Sequence, residues 1–496
     1  MPKFYLLSAR TKVSTGKVNK SEVEIKLDSR PKPAGAKEFE SAILNSEQKD
    51  SPSAAKAQPP IIGKSLPVRI PTNQRFGFFD YIWISLFWLG ITYLWGGING
   101  VILPHLNQQL VGEAYKGTTL GIIMSLGMIV AMVVQPAAGA LSDIKHHRWG
   151  RRRPFILLGG AMAVVALLLL SGVALFFRNW WLLLLAYLFL QFADNIAQGA
   201  YQGFIPDMVP DGKRGRASGA MGVAQIFGNV GGLTIATYFI DQEQPSLAIM
   251  AICIVFSLTL VPTLFLVQEE PFHEGDTGGR LHTLVGIFGE LRHYPAFIHF
   301  IISRLFVMTA IATISIFALY FLQDVIHQPQ GTLSQSYTVL GIVVVACSLL
   351  SIFPAVWLSE RIGRKRLVIL SCSVGAVGML LLATATNMTH VVFYSILLGV
   401  ATGSFNSIDW ALATDLIPRE AAGRFMGISN LAGAGSQALA ALVGGLLRDG
   451  FNALGETFFQ IKNLGYSALF IFGAVYFLLG IFFLLKVQEQ NHVSSQ

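Results

Sequence analysis

Residues Trp180–Asp207 read WWLLLLAYLFLQFADNIAQGAYQGFIPD. The apolar part is long enough to cross a bilayer, which takes about 20 mostly apolar residues. Asp194 stands in its middle, and a charge at bilayer depth costs about 2.5–3.5 kcal/mol on insertion scales. Comparable apolar runs recur along the whole chain, at roughly 81–103, 118–141, 154–177, 179–205, 217–240, 246–267, 296–322, 337–357, 367–386, 391–413, 425–447 and 464–485. Composition agrees: 53% of the 496 residues are hydrophobic and 13% charged, where a soluble chain carries about a quarter charged residues. A helix satisfies its own backbone hydrogen bonds in lipid, so each run reads as a spanning helix. The expected class is an all-α membrane protein with twelve transmembrane helices.

The loops between runs differ in basic residues. One set holds Lys145, Arg148, Arg151, Arg152, Arg153, Lys213, Arg214, Arg216, Arg280, Arg292, Arg361, Arg364, Lys365, Arg366, Arg419 and Arg424; the other holds only Lys116, Arg178, Arg448 and Lys462. Lys and Arg stay on the cytoplasmic side of a membrane, so both termini are expected inside, in a plasma or inner membrane. The same placement explains the net charge of +8 as an orientation signal, with no nucleic-acid partner expected. The first apolar run begins near Tyr81, too late for a cleavable signal peptide. Residues 1–75 are rich in Lys, Ser, Pro and Ala and read as a disordered cytoplasmic tail. A bundle at 76–267, a cytoplasmic loop at 268–295, a second bundle at 296–486 and a tail at 487–496 complete the expected organisation. Cys253, Cys347 and Cys372 all lie in apolar runs and read as packing residues. No metal-ligand spacing, cofactor motif or nucleophile–base arrangement is present in the sequence, so no metal, cofactor or enzymatic activity is expected, and the chain is expected to be monomeric.

The halves echo each other. IPDMVPDGKRGRASG follows the fourth run and ATDLIPREAAGRFMG the tenth, so that Asp207, Pro210, Gly215, Arg216 and Gly219 recur at one constant offset as Asp415, Pro418, Gly423, Arg424 and Gly427. GALSDIKHHRWGRRRPF follows the second run and VWLSERIGRKRLVI the eighth: Ser142-Asp143 answers Ser359-Glu360, and Gly150-Arg151-Arg152 answers Gly363-Arg364-Lys365. Two parallel six-helix repeats with a binding site between them form a known transporter architecture.

Gly139 and Asp143 followed by Arg148, Gly150, Arg151 and Arg152 resemble the signature loop of the major facilitator superfamily. RWGRRRPF and DNIAQGAYQGFIPD are similar to the branch of sucrose-transporter-like and glycoside–pentoside–hexuronide:cation symporters. In sucrose transporters the fourth helix carries Asn, Gln-Gly, Arg and Asp; Asn195, Gln198-Gly199 and Asp207 fit, and Gln202 stands at the Arg position. The resemblance implies the major facilitator fold of two pseudo-symmetric six-helix bundles, with spans one, four, seven and ten lining a cavity. It also implies that Asp143 braces the first bundle against the start of the eleventh helix, with Asp207, Arg216, Glu360, Asp415 and Arg424 adding contacts to a cytoplasmic gate.

Within the runs the formal charges are Asp194, Arg304 and Asp409. Such residues face a protein interior or a cavity and mark ion or substrate paths. Gln191, Asp194, Gln198 and Gln202 share a helical stripe, with Asn195 beside it; Thr402, Asn406 and Asp409 repeat the pattern in the tenth run. Arg304 and Asp409 lie at similar depth in the second half and are expected to pair. The first half has no cation within a run, so Asp194 has no counter-ion there. A carboxyl free of a fixed counter-ion can stand charged or neutral, which is what proton coupling requires, and Asp194 is the expected proton carrier. The second run carries no acid before Asp143, so a sodium site would lack anionic ligands. Tyr93, Trp95 and Asn99 give the first run an aromatic, hydrogen-bonding face suited to a sugar. The readings left are a proton-coupled sugar or glycoside symporter, a proton-coupled efflux antiporter and a non-transporting membrane sensor.

Overall fold

The computed structural model describes residues 77–144, 149–204, 208–209, 213–267, 294–328, 332–416 and 422–487. The expected tail at 1–75 and central loop at 268–295 fall almost wholly outside these residues. Twelve helices are long and apolar enough to cross a membrane: α1 (Phe79–Val111), α2 (Lys116–Ile144), α3 (Arg153–Phe177), α4 (Trp180–Tyr201), α5 (Arg214–Asp241), α6 (Pro245–Leu266), α7 (Pro295–Asp324), α8 (Leu333–Ile362), α9 (Arg364–Leu382), α10 (Met388–Asp415), α11 (Ala422–Leu454) and α12 (Leu464–Leu485). Large apolar side chains cover their outer faces; Phe353, Leu350 and Phe265 are 82%, 76% and 75% exposed. Patches of that kind would be a liability in water and are the expected surface in lipid.

The packing pattern is written twice. In the first half α1 packs on α5 and α6, α3 on α4 and α6, and α2 on α4. In the second, α7 packs on α11 and α12, α9 on α10 and α12, and α8 on α10. The main contacts that join the halves, α2 with α11 and α5 with α8, are exchanged by the same two-fold relation.

Individual residues carry the repeat beyond the loops. Asn179 accepts hydrogen bonds from the backbone N–H groups of Trp181 and Leu182 at the start of α4, and Asn387 accepts one from His390 at the start of α10. They are separated by the offset that relates Asp207 to Asp415. Asn caps satisfy N–H groups that a helix start leaves orphaned. Gly150 and Gly363, the glycines of the two basic loops, have φ of +99° and +92°. That backbone region is strained for a residue with a Cβ, which is why each loop keeps glycine at its turn into the next helix.

Among the described residues, several hydrogen bonds between the halves lie toward the end of the molecule opposite the basic loops. Tyr320 of α7 donates to the Pro104 carbonyl of α1 (2.7 Å), Tyr337 of α8 to that of Gly100 (3.3 Å), and Ser125 of α2 to that of Ala438 on α11 (2.8 Å). Gly117 and Gly445 let α2 and α11 touch backbone to backbone: a Cβ on Gly445 would stand 2.2 Å from the Gly117 carbonyl oxygen.

Candidate functional site

A cavity of about 610 Å³ lies between the halves, within the range of small-molecule sites, with walls from both. Its polar groups include Asn99 of α1, Asn229 of α5, Thr402 and Asn406 of α10 and Gln437 of α11. Its apolar wall is Met308 and Ile311 of α7 with Leu340 and Val344 of α8. Among the described residues that line it, none is a carboxylate, an amine or a guanidinium. The lining can therefore hydrogen-bond a neutral polyhydroxylated ligand and pack on its apolar faces, while it offers no counter-charge to an ionic one.

Local structure places the key side chains of α1. Ile98–Ile102 forms a π-helical turn inside the span, a deformation frequent at functional sites. Asn99 and Gly100 lie in that turn and at the cavity, and Trp95 is a turn before it. The Trp95 indole lines the cavity and donates Nε1–H to Oδ2 of Asp194 at 2.7 Å. Asp194 is fully buried, and its Oδ1 has no hydrogen-bond partner among the described residues. The carboxyl is thus held by one neutral donor, with a lone pair left over.

Beside it runs a chain of donors. Asn195 donates to the Gln191 side-chain oxygen (3.1 Å), Gln191 to the Tyr187 hydroxyl (2.9 Å), and Tyr187 to Oδ1 of Asn99 (3.1 Å). Asn99 spends its acceptor on this chain, so its amide N–H groups are what it can offer to the cavity. Gln191 and Asn195 therefore lie behind the wall and reach it through Asn99. The rest of the α4 stripe also turns away from the cavity. Gln198 accepts from Gln135 of α2, while Gln202 lies beyond the end of α4 and is exposed. Tyr93 packs over Gly231 of α5 and is not in the wall.

In the second half Arg304 of α7 and Asp409 of α10 form an ion pair, 3% and 1% exposed. Asn406, one turn before Asp409, is exposed at the cavity. Arg304 and Asp409 themselves do not line it.

At the basic-loop end, Arg152 bonds Oδ1 of Asp143 (2.9 Å) and the Ala200 carbonyl in the last turn of α4 (3.3 Å). Arg364 makes the equivalent bond to the Ala411 carbonyl of α10 (2.9 Å). The arginine has shifted by one residue between the repeats, two positions after Gly150 and one after Gly363, and the accepting carbonyl by three, since Ile408 answers Ala200 at the repeat offset. In this state Asp143 holds Arg152 of its own half. Gly139 packs on the Gly199 carbonyl, Arg151 is half-buried, and Glu360 and Arg216 are exposed. Arg148 and Asp207 lie outside the described residues, as do the side chains of Asp415 and Arg424.

Sequence reasoning passed over several positions. Lys116 and Arg448 read as loop cations, yet both lie inside helices, 0% and 3% exposed, and both bond Asp324. Helical periodicity could not reveal this, because each sits at the very end of its apolar run. Asn229 and Gln437 were also passed over; a lone amide among glycines in GNVGG and GAGSQ was the available signal.

The Major Facilitator Superfamily model matches residues 82–352 and 331–495. Sucrose transport protein SUT5 of Oryza sativa is 24% identical over 82% of this chain and 87% of its own length. A shorter match, 37% identical over 70 residues, is to sucrose transport protein SUT1 of the same plant. Among solved structures, nucleoside transporter NupG superposes with a TM-score of 0.62 at 16% identity, covering 82% of this chain and 98% of NupG. A D-xylose-proton symporter does so with a TM-score of 0.61 at 15% identity, over 81% and 97%. Two matched segments spanning nearly all the described helices, in an integral multi-pass membrane protein with this packing, place the chain in one family: it belongs to the Major Facilitator Superfamily.

Proposed function

We propose that the protein is a secondary active transporter that carries a neutral sugar or glycoside together with a proton by alternating access. The observation that carries this reading is the position of Trp95. Trp95 lines the cavity, and its indole N–H holds the buried Asp194 carboxyl. A ligand that moves the indole changes the hydrogen bond that holds that acid, so occupancy and protonation are linked through one side chain. The uncharged lining favours a neutral ligand, and the similarity to sucrose transport proteins and to a D-xylose-proton symporter supports a sugar. With the basic loops inside, both termini are cytoplasmic and the closed end of the cavity faces outward.

The test is uptake in proteoliposomes. Counterflow with a panel of radiolabelled neutral sugars and glycosides identifies the ligand. An inwardly directed proton gradient, imposed without sodium, should then drive accumulation of that ligand. Exchange of ligand with no response to the gradient would remove the proton from the reading and leave a facilitator.

A further inference from the structure

The closed end is built from two carboxylates in equivalent positions. Asp241, the last residue of α5, accepts the Ser334 backbone N–H at the start of α8 (2.8 Å). Asp449 of α11 accepts the Gly117 and Thr118 backbone N–H groups at the start of α2 (3.2 and 2.6 Å). Asp241 and Asp449 stand at the same offset as Asp207 and Asp415. Each half thus caps a helix of the other, where orphan N–H groups and the helix dipole both favour an anion.

The α2–α11 side adds a cluster of further charges. Lys116 of α2 bonds Oδ1 of Asp324 on α7 (2.8 Å) and Oε2 of Glu113 in its own half (2.7 Å). Arg448 bonds Oδ2 of Asp324 (2.9 Å), Oδ1 of Asp449 (2.8 Å) and, across the halves, the Glu113 backbone carbonyl (2.7 Å). Tyr466 of α12 donates to Asp324, and Gln108 of α1 holds Glu113 at 2.6 Å. Separating the halves breaks the Lys116–Asp324 bond. It leaves Lys116 with Glu113 and Arg448 with Asp324 and Asp449, so each cation keeps a partner within its own half.

We propose that this cluster is a partner-exchange lock that sets the balance between closed and open states of this end. Asp324 is the partner that closes it and Glu113 the partner that lets it open. A buried cation stripped of every partner would be costly, and a lock of that kind would be a permanent staple. Glu113 removes that cost. The two acids on one lysine therefore have opposite effects. Asp324→Asn removes the Lys116 contact, made only in the closed state; its contacts with Arg448 and Tyr466 lie within the second half and are weakened in both states alike. Glu113→Gln removes one of two carboxylate partners of Lys116 in the closed state and the remaining one in the open state. The cross contact of the Glu113 carboxylate, 3.8 Å to Arg448, is the longest in the cluster, and Glu113 is 66% exposed. Its loss weighs less than an unpaired Lys116.

The inference rests on the alternating-access reading only in requiring that this end opens. Spin labels at Tyr115 and Gly450, both exposed, on the full chain in nanodiscs with the three cysteines replaced by alanine, report it without any substrate. Asp324→Asn should raise the ratio of long to short distances about tenfold, the scale of one charge-assisted hydrogen bond. Glu113→Gln should lower it roughly two- to fivefold, the scale of a partly exposed pair. Lys116→Gln should move with Asp324→Asn and covers the case in which that variant does not fold. Both acids moving the ratio in the same direction, or Glu113→Gln leaving it unchanged, would overturn the exchange lock and leave alternating access standing. A single distance in every variant, the parent included, would overturn both.

Discussion

Asp194 and Asp409 are both buried within spans, one in each half and Asp409 about two turns nearer the basic-loop end, and the two halves accommodate them differently. Asp409 is neutralised by Arg304 in an ion pair sealed from the cavity. Asp194 is held by the Trp95 indole, and that indole is part of the cavity wall. A paired charge is a fixed cost, met by geometry that must persist through the cycle. An acid held by a neutral donor can change its protonation with one hydrogen bond at stake. The second half thus holds its acid in a fixed pair and the first holds its acid by one exchangeable bond, although the helical frame of the two is the same.

The largest effect follows from breaking the fixed pair. Arg304→Ala leaves Asp409 buried and unpaired, a loss of about 3–5 kcal/mol, and Asp409→Ala does the same to Arg304. Each should reduce the yield of folded protein and abolish transport. The double replacement removes the uncompensated charge and should restore part of the thermal stability, so that the cycle gives a clearly non-additive coupling. Additive losses in a melting assay would mean that the pair contributes nothing as a pair.

Asp194→Asn sharpens the other side. The amide keeps the Trp95 bond, since its oxygen can accept, and it stands permanently in for the neutral acid. Folding and ligand exchange should survive while accumulation driven by a proton gradient disappears. Full accumulation by this variant would transfer the coupling role elsewhere. Trp95→Phe tests the link itself with a smaller change. The ring still packs edge-on against Tyr187 at a similar place, but the N–H is gone and Asp194 loses its donor. Ligand affinity should fall by about tenfold at most, the low end of the 1.5–3 kcal/mol scale of a hydrogen bond to a charged group. The dependence of uptake on external pH should also change shape, which a purely structural role for the indole would not cause.

Much of this was open to reading before the fold was known. The twelve spans announce themselves because lipid demands about 20 apolar residues from each. The loop echo located the repeat, and Arg304 and Asp409 stood out because nothing else in the second half's apolar runs is charged. What escaped was side-chain direction. The α4 stripe has helical spacing, and spacing cannot say which neighbour a face meets; Gln198 turned to α2, and Asp194 to Trp95, one helix short of the cavity. Lys116 and Arg448 escaped for a different reason. Charges at helix ends look alike in sequence whether they meet water or one another, and only the close approach at Gly117 and Gly445 buries them.

The smallest effect should come from Asp143. In the sequence it heads the signature loop and invites a bridging role between the bundles. In this state it holds Arg152 and is 52% exposed, so the pair contributes about 0–1 kcal/mol as a partly solvated bridge. Arg152 keeps the Ala200 carbonyl when the carboxylate is lost. Asp143→Asn should therefore barely change thermal stability. Any larger consequence belongs to the opposite state, in which the basic-loop ends of α2 and α11 approach and the carboxylate can reach the start of α11, where the dipole favours it. Spin labels on those two ends separate the possibilities. A shift toward longer separations in Asp143→Asn, with stability unchanged, means that the aspartate exchanges Arg152 for α11 as this end closes. An unchanged distribution confines Asp143 to its own half, and the exchange of partners would then be a property of one end of the molecule only.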